Sequence, residues 1–114
     1  MAIVKKDDGK DKKLKSDQIK QAELREIAEV LRKVAHPTRI LIIKELLEGE
    51  KCVRDIQEFV AVPQANLSQH LSILRSLRII DFRRKGRLAC YFLRNPEFCR
   101  GLARLMKSTM DNEP

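Results

Sequence analysis

Apolar residues recur at three- and four-residue spacing from Ala22 onward. Leu24, Ile27, Ala28, Leu31, Val34 and Ala35 form one stripe, which predicts a helix. Pro37 suits the first turn of a second helix, whose apolar positions Ile40, Leu41, Ile43 and Leu47 run to a stop at Gly49. A short third helix carries Val53, Ile56, Phe59 and Val60. From about Gln64 to Arg78 the line Leu67, Leu71, Leu74, Arg78 predicts a fourth helix, with its three leucines turned to the core. The pattern then becomes strand-like in two runs, Ile79 to Arg84 and Arg87 to Leu93. They are joined at Lys85-Gly86, where glycine permits the positive φ of a tight hairpin. Asn95-Pro96-Glu97 opens a last helix, with Asn as N-cap, Pro at its first position and an acid in its first turn. Its stripe is Phe98, Leu102, Leu105 and Met106.

The expected fold is therefore mainly α with a small β-hairpin wing, in the order helix, helix, helix, recognition helix, hairpin, helix. That is a winged helix-turn-helix. At 114 residues there is room for one modest core. Residues 1–20 are polar, contain Gly9 and read as a flexible arm; 21–110 form the domain and 111–114 a tail.

Charge changes the picture more by its place than by its sum. The formal charge is +8, which favours an anionic partner. The N-terminal lysines are interleaved with Asp7, Asp8, Asp11 and Asp17 and read as a solvated face, leaving open whether that arm touches DNA. From Pro63 to Leu74 there is no charged residue. The next stretch sets Arg75, Arg78, Arg83, Arg84, Lys85 and Arg87 against Asp81 alone.

A helix that enters a DNA groove needs an uncharged, hydrogen-bonding surface, because Gln, Asn and Ser can donate to and accept from base edges that acidic side chains repel. At about 100° per residue, with Leu67, Leu71 and Leu74 pointing inward, Ala65, Ser68, Gln69 and Ser72 point outward. Gln64 sits at the N-terminal end of the helix and Arg75 at the border of that face. These five residues, Gln64 included, are the candidate base readers. Arg75, Arg83, Arg84, Lys85 and Arg87 are the candidate backbone contacts, giving affinity with little sequence discrimination. Tyr91 and Phe92 are expected to fill the base of the wing.

No stretch approaches the roughly 20 apolar residues of a membrane span, and the N-terminus lacks a signal-peptide core, so a cytoplasmic protein is expected. An odd number of cysteines in such a chain argues for reduced thiols over a disulfide framework. No CxxC, HExxH or Gly-rich phosphate loop occurs, and the only histidines are His36 and His70. No nucleophile, base and oxyanion donor can be grouped, so neither catalysis nor a cofactor is expected.

Four ordered segments carry a family likeness: Ala35-His36-Pro37-Thr38-Arg39-Ile40, Gly49-Glu50-Lys51-Cys52-Val53-Arg54-Asp55-Ile56, Gln64 to Leu71, and Arg84-Lys85-Gly86-Arg87. Over about residues 22–108 the chain resembles the ArsR/SmtB family of bacterial winged-helix repressors. The resemblance implies a homodimer, built by the first and last helices, that represses an operon and releases DNA when an inducer binds. It also implies base reading at Gln64, Ala65, Ser68 and Gln69, in agreement with the helical geometry. The apolar surplus at both ends of the domain places the expected dimer seam on residues 22–35 and 96–109.

Several residues depart from the family pattern. Soft-metal members carry Cys-Val-Cys where this chain has Cys52-Val53-Arg54. Zinc and nickel members place histidines on the last helix, and 95–110 contains none. Lys44 and Met110 stand where the persulfide-sensing branch has its cysteine pair. No metal site is expected, therefore, and Cys52, Cys90 and Cys99 leave two readings open: small buried apolar residues, or a thiol sensor built from some pair of them, with Cys99 expected near the dimer seam. His36 is expected at a helix junction and His70 in a structural place on the flank of the apolar edge. Pro63 replaces an N-capping Ser, and Arg78 stands where Gly often ends the recognition helix in a left-handed conformation. The competing function is a winged-helix protein-interaction or anti-repressor module without specific DNA binding. The basic wing and uncharged helix face weigh against it.

Overall fold

The structure, a computed structural model, describes residues 7–111, with side chains described over 20–109. The order is α1 (Asp7–Val34), α2 (Pro37–Leu46), β1 (Lys51–Cys52), α3 (Val53–Phe59), α4 (Gln64–Ser76), β2 (Ile80–Lys85), β3 (Leu88–Leu93) and α5 (Pro96–Asp111). The chain divides into two units, residues 1–33 and 34–114. The first is essentially α1, along which Leu24, Ile27 and Leu31 are exposed.

Helix α1 begins earlier than its apolar stripe. The polar stretch Asp7 to Lys20, expected to be a flexible arm, is helical here. Acid-before-base spacing at Asp8/Lys12 and Asp11/Lys15 and the absence of proline favour helix without any apolar face. Residues 1–6 of that arm and 112–114 of the tail lie outside the described residues.

In the second unit, each boundary has a local cause. His36 is the N-cap of α2: its Nδ1 accepts the Thr38 N–H at 3.1 Å, and Pro37 occupies the first turn. Asn95 caps α5 in the same way, accepting the Phe98 N–H at 3.2 Å. Pro63 precedes α4 with no side-chain capping bond. The α4 helix ends in a Schellman motif. Arg78 is left-handed at φ 61°, its N–H donates to the Arg75 carbonyl at 2.9 Å, and the Ile79 N–H donates to the Leu74 carbonyl at 3.1 Å. Ile79 and Leu74 are both buried, supplying the apolar contact of that motif.

The left-handed cost falls on an arginine, so Arg78→Gly should stabilise the fold by about 1 kcal/mol. A rise of roughly 4–8 °C in melting temperature checks it. An unchanged or lower value would mean that the Arg78 side chain contributes packing worth more than the strain.

The core is formed by Ile42, Ile43 and Leu46 of α2, Ile56 of α3, Leu67, Leu71 and Leu74 of α4, Ile79, Ile80, Cys90 and Cys99, with Val34 and Val60 at its ends. In α2 the buried set differs from the expected Ile40, Leu41, Ile43 and Leu47. Ile40 to Ile43 is an unbroken apolar run, so spacing alone does not choose the inner face of that helix.

The wing is a three-stranded antiparallel sheet in the order β1-β3-β2. It differs from the expected hairpin in two ways. The chain folds a short strand, β1, ahead of α3, pairing Lys51 with Tyr91 and Cys52 with Cys90; two residues are too few to show alternation. The hairpin turn is Gly86-Arg87, not Lys85-Gly86, since Lys85 still pairs with Leu88. Gly86 at φ 65° stands at the first turn position, where a type II′ hairpin requires glycine.

Candidate nucleic-acid interface

The seat of α4 determines what it can present. Leu67, Leu71 and Leu74 are buried, each contributing about 1.5–3 kcal/mol through the apolar surface it removes from water. This fixes the helix's rotation about its axis and leaves Ala65, Ser68, Gln69 and Ser72 exposed on the outer side, with Gln64 exposed as the first residue of the helix. All five predicted base readers are exposed and none carries a charge.

A second anchor holds α4 to α2. Arg39 Nε donates to His70 Nδ1 at 3.1 Å, and the His36 and His70 rings lie 4.6 Å apart. His70 is half-buried and structural, in keeping with its place on the apolar flank. Burial, and then the charges of His36 and Arg39, hold its pKa below the ordinary 6.5. A histidine held low stays neutral in the folded chain where the unfolded chain already takes up a proton. The stability it contributes is therefore complete above pH 6.5 and is lost as pH falls from there through the lowered folded value. The chemical-denaturation midpoint should fall between pH 7 and 5.5. His70→Asn, which keeps an acceptor for Arg39 but does not titrate, should flatten that fall; an equal slope in the variant would place the proton elsewhere.

The wing's cations are not equivalent. Arg83 and Lys85 both pair with Glu50, at 3.4 and 2.9 Å, and the Arg83 guanidinium lies 4.3 Å from the Phe92 ring centroid. Glu50's carboxyl is held below its ordinary range, chiefly by the hydrogen bond from Lys85 and further by the charges of Lys85 and Arg83, against an opposing effect of burial. Arg75 pairs with Asp81 at 3.5 Å and lies 4.4 Å over the Phe82 ring, binding the end of α4 to β2. Arg84 and Arg87 are exposed and, among the described residues, make no ion pair. Tyr91 and Phe82 rings pack at 5.5 Å in the base of the wing. Glu50 and Asp81 escape sequence reasoning; Glu50's position immediately before the unforeseen β1 is the missing signal.

The cysteines behave differently from one another. Cys52 and Cys90 are joined in a disulfide, which corrects the expectation of three reduced thiols: the register of β1 with β3 sets them directly opposite. Cys99 is free and fully buried in the chain's own core, and burial pushes its thiol up to about 11. It therefore lies on the inner side of α5, away from the exposed Leu105 edge. Among the described residues, no three metal-binding side chains cluster, and no helix is long and apolar enough to cross a membrane.

Comparison with known proteins agrees with this geometry. The family described as bacterial regulatory protein, arsR family, matches residues 36–81, spanning α2, α3, α4 and the start of β2. A biofilm growth-associated repressor from Xylella fastidiosa is 32% identical over 88 residues, 77% of this chain and 75% of that protein. The chain belongs to the arsR family.

Its arsR-family relatives include the transcriptional repressor SmtB of Mycobacterium tuberculosis, 40% identical over 65 residues, 57% of this chain and 48% of SmtB. The match thus spans about half of SmtB's length. In structure, the homodimeric winged helix-turn-helix DNA-binding domain of a possible ArsR-family regulator from Mycobacterium bovis superposes with a TM-score of 0.69 at 27% identity, over 81% of this chain and 84% of that one.

Proposed function

We propose that this arsR-family chain is a homodimeric, sequence-specific repressor that binds double-stranded operator DNA, acts in the cytoplasm and is released by an inducer. The uncharged outer face of α4 beside a basic wing is the observation that carries the reading. Gln64, Ala65, Ser68, Gln69 and Ser72 read base edges. Arg84 and Arg87 contact phosphates, with Arg83, Lys85 and Arg75 at the margin of the same surface. No catalytic step and no cofactor enter this function. The relatives named as repressors and the homodimeric neighbour support the same assignment.

Selection from a random duplex pool tests it. The selected duplexes should share an inverted repeat whose half-sites lie about one helical turn apart, roughly 34–36 Å. Gln69→Ala should cost on the order of 1–3 kcal/mol on the selected duplex and little on random DNA, since alanine offers the base edge no hydrogen bond. A pool with no enriched sequence would favour the protein-interaction module instead.

A further inference from the structure

The position of the Cys52–Cys90 pair carries more than the bond itself. Cys52 ends β1 and immediately precedes α3, while Cys90 is its cross-strand partner on β3. The two are 38 residues apart, and the loop they close holds α3, α4, β2 and the hairpin turn. Every residue assigned above to a base or a phosphate lies inside that loop. Just ahead of it, Glu50 pairs with Arg83 and Lys85 of β2. The segment Glu50–Cys52 is thus fastened to the wing once by charge and once covalently. A two-residue strand is a weak holdfast without them.

We propose that Cys52 and Cys90 are a redox-modifiable dithiol site, with a low-molecular-weight disulfide as its co-reactant, whose oxidised form clamps the helix-turn-helix to the wing and tightens operator binding. The regulatory half of this proposal rests on the operator-binding reading above. The fastened loop holds α4 and the wing in one relative position before DNA arrives, so less ordering remains to be done on binding. Reduction leaves the start of that loop held to β3 by the short strand and to β2 by the Glu50 ion pairs, with no covalent link.

The chemistry balances as two thiol–disulfide exchanges. Cys52 is half-buried and Cys90 is buried, which makes Cys52 the entry point. The Cys52 thiolate attacks one sulfur of R–S–S–R, forming the Cys52–S–R mixed disulfide and expelling the first thiolate. The Cys90 thiolate then attacks Cys52 Sγ, forming the Cys52–Cys90 bond and expelling the second. Two electrons pass to the reagent, and the protons of the two protein thiols end on the two released thiols. Cys99, buried on α5, stays outside the exchange.

The test equilibrates the full wild-type chain with glutathione at a series of reduced-to-oxidised ratios. After acid quenching and unfolding, maleimide tags are counted by mass. The reduced chain should take three tags and the oxidised chain one, with the loss of two in a single step and no intermolecular link. The oxidised form should melt about 10 °C or more above the reduced form, from the closed loop. It should also bind the pool-selected duplex at least fivefold more tightly. Cys90→Ser should stop at one glutathione adduct on Cys52 and lose the redox response of affinity. A lasting mixed disulfide in the wild type, or equal affinity of the two forms, overturns the proposal. The wild-type comparison stands if the variant fails to fold. Should neither form bind selected DNA, the operator reading fails and takes the affinity claim with it, while tag count and melting shift still decide whether the pair is a redox site.

Discussion

Leu105→Glu should convert the protein from a dimer to a monomer at micromolar concentration. It should also lower affinity for a two-half-site duplex by at least about tenfold, because the second half-site is no longer delivered at the high effective concentration of a linked partner. The apolar arc of α5 is wider than its own chain covers. Cys99 faces the core and is fully buried, and Phe98, Leu102 and Met106 are half-buried. Leu105, on the other edge of the arc, is 62% exposed. An exposed leucine alone needs no explanation, but one continuing a stripe with Phe98 and Leu102 marks a face awaiting a partner. A glutamate there would leave a charge buried in the seam of the dimer while costing the isolated subunit little. Sedimentation should report half the mass, and the melting temperature should lose its dependence on protein concentration. A variant that remains dimeric would move the seam off α5 and leave it to Leu24, Ile27 and Leu31 of α1.

Legibility from sequence follows the strength of local signals. Helices α4 and α5 are readable because three leucines at regular spacing, a capping Asn95 and the Pro96-Glu97 start all point the same way. The left-handed Arg78 is readable because the family's glycine is missing where the chain still has to turn. The inner face of α2 is not, since Ile40 to Ile43 is an unbroken apolar run and burial is decided by what packs against it. Strand β1 is invisible at two residues, and two further features depend on it. Counting cysteines cannot set Cys52 opposite Cys90 without the strand that pairs them. Glu50, likewise, looks like one more acid at the end of a helix until β1 brings it beside Arg83 and Lys85. Helical residues 7–20 escape for a related reason: a polar segment without an apolar face reads as a loose arm, although its charges are already spaced for a helix.

That uneven pairing of the wing's cations sets up the second large effect. Arg84→Ala combined with Arg87→Ala should flatten the salt dependence of binding by a slope of about 1.8 for each protomer, about 0.9 for each phosphate no longer neutralised, and so by about 3.6 for the dimer. At about 0.15 M salt this should weaken selected and random duplexes alike by roughly thirtyfold for each protomer, and so by roughly 900-fold for the dimer. Arg83→Ala combined with Lys85→Ala removes the same formal charge but should flatten the slope by less. Both side chains already face Glu50, within 3.4 and 2.9 Å, so a phosphate must displace a carboxylate before it gains them, and the net number of counterions released falls. Glu50→Gln then becomes informative in the opposite direction. It frees two cations on a surface that meets polyanionic DNA, so affinity for random duplex should rise while discrimination between selected and random duplex falls. Measured as binding constants across a salt series, the order of slope changes decides the matter. If the Arg83/Lys85 pair carries the larger change, the Glu50 ion pairs open on DNA and all four cations serve as phosphate ligands. If neither pair alters the slope, the wing does not touch the backbone, and affinity must come from α4 and the remaining arginines.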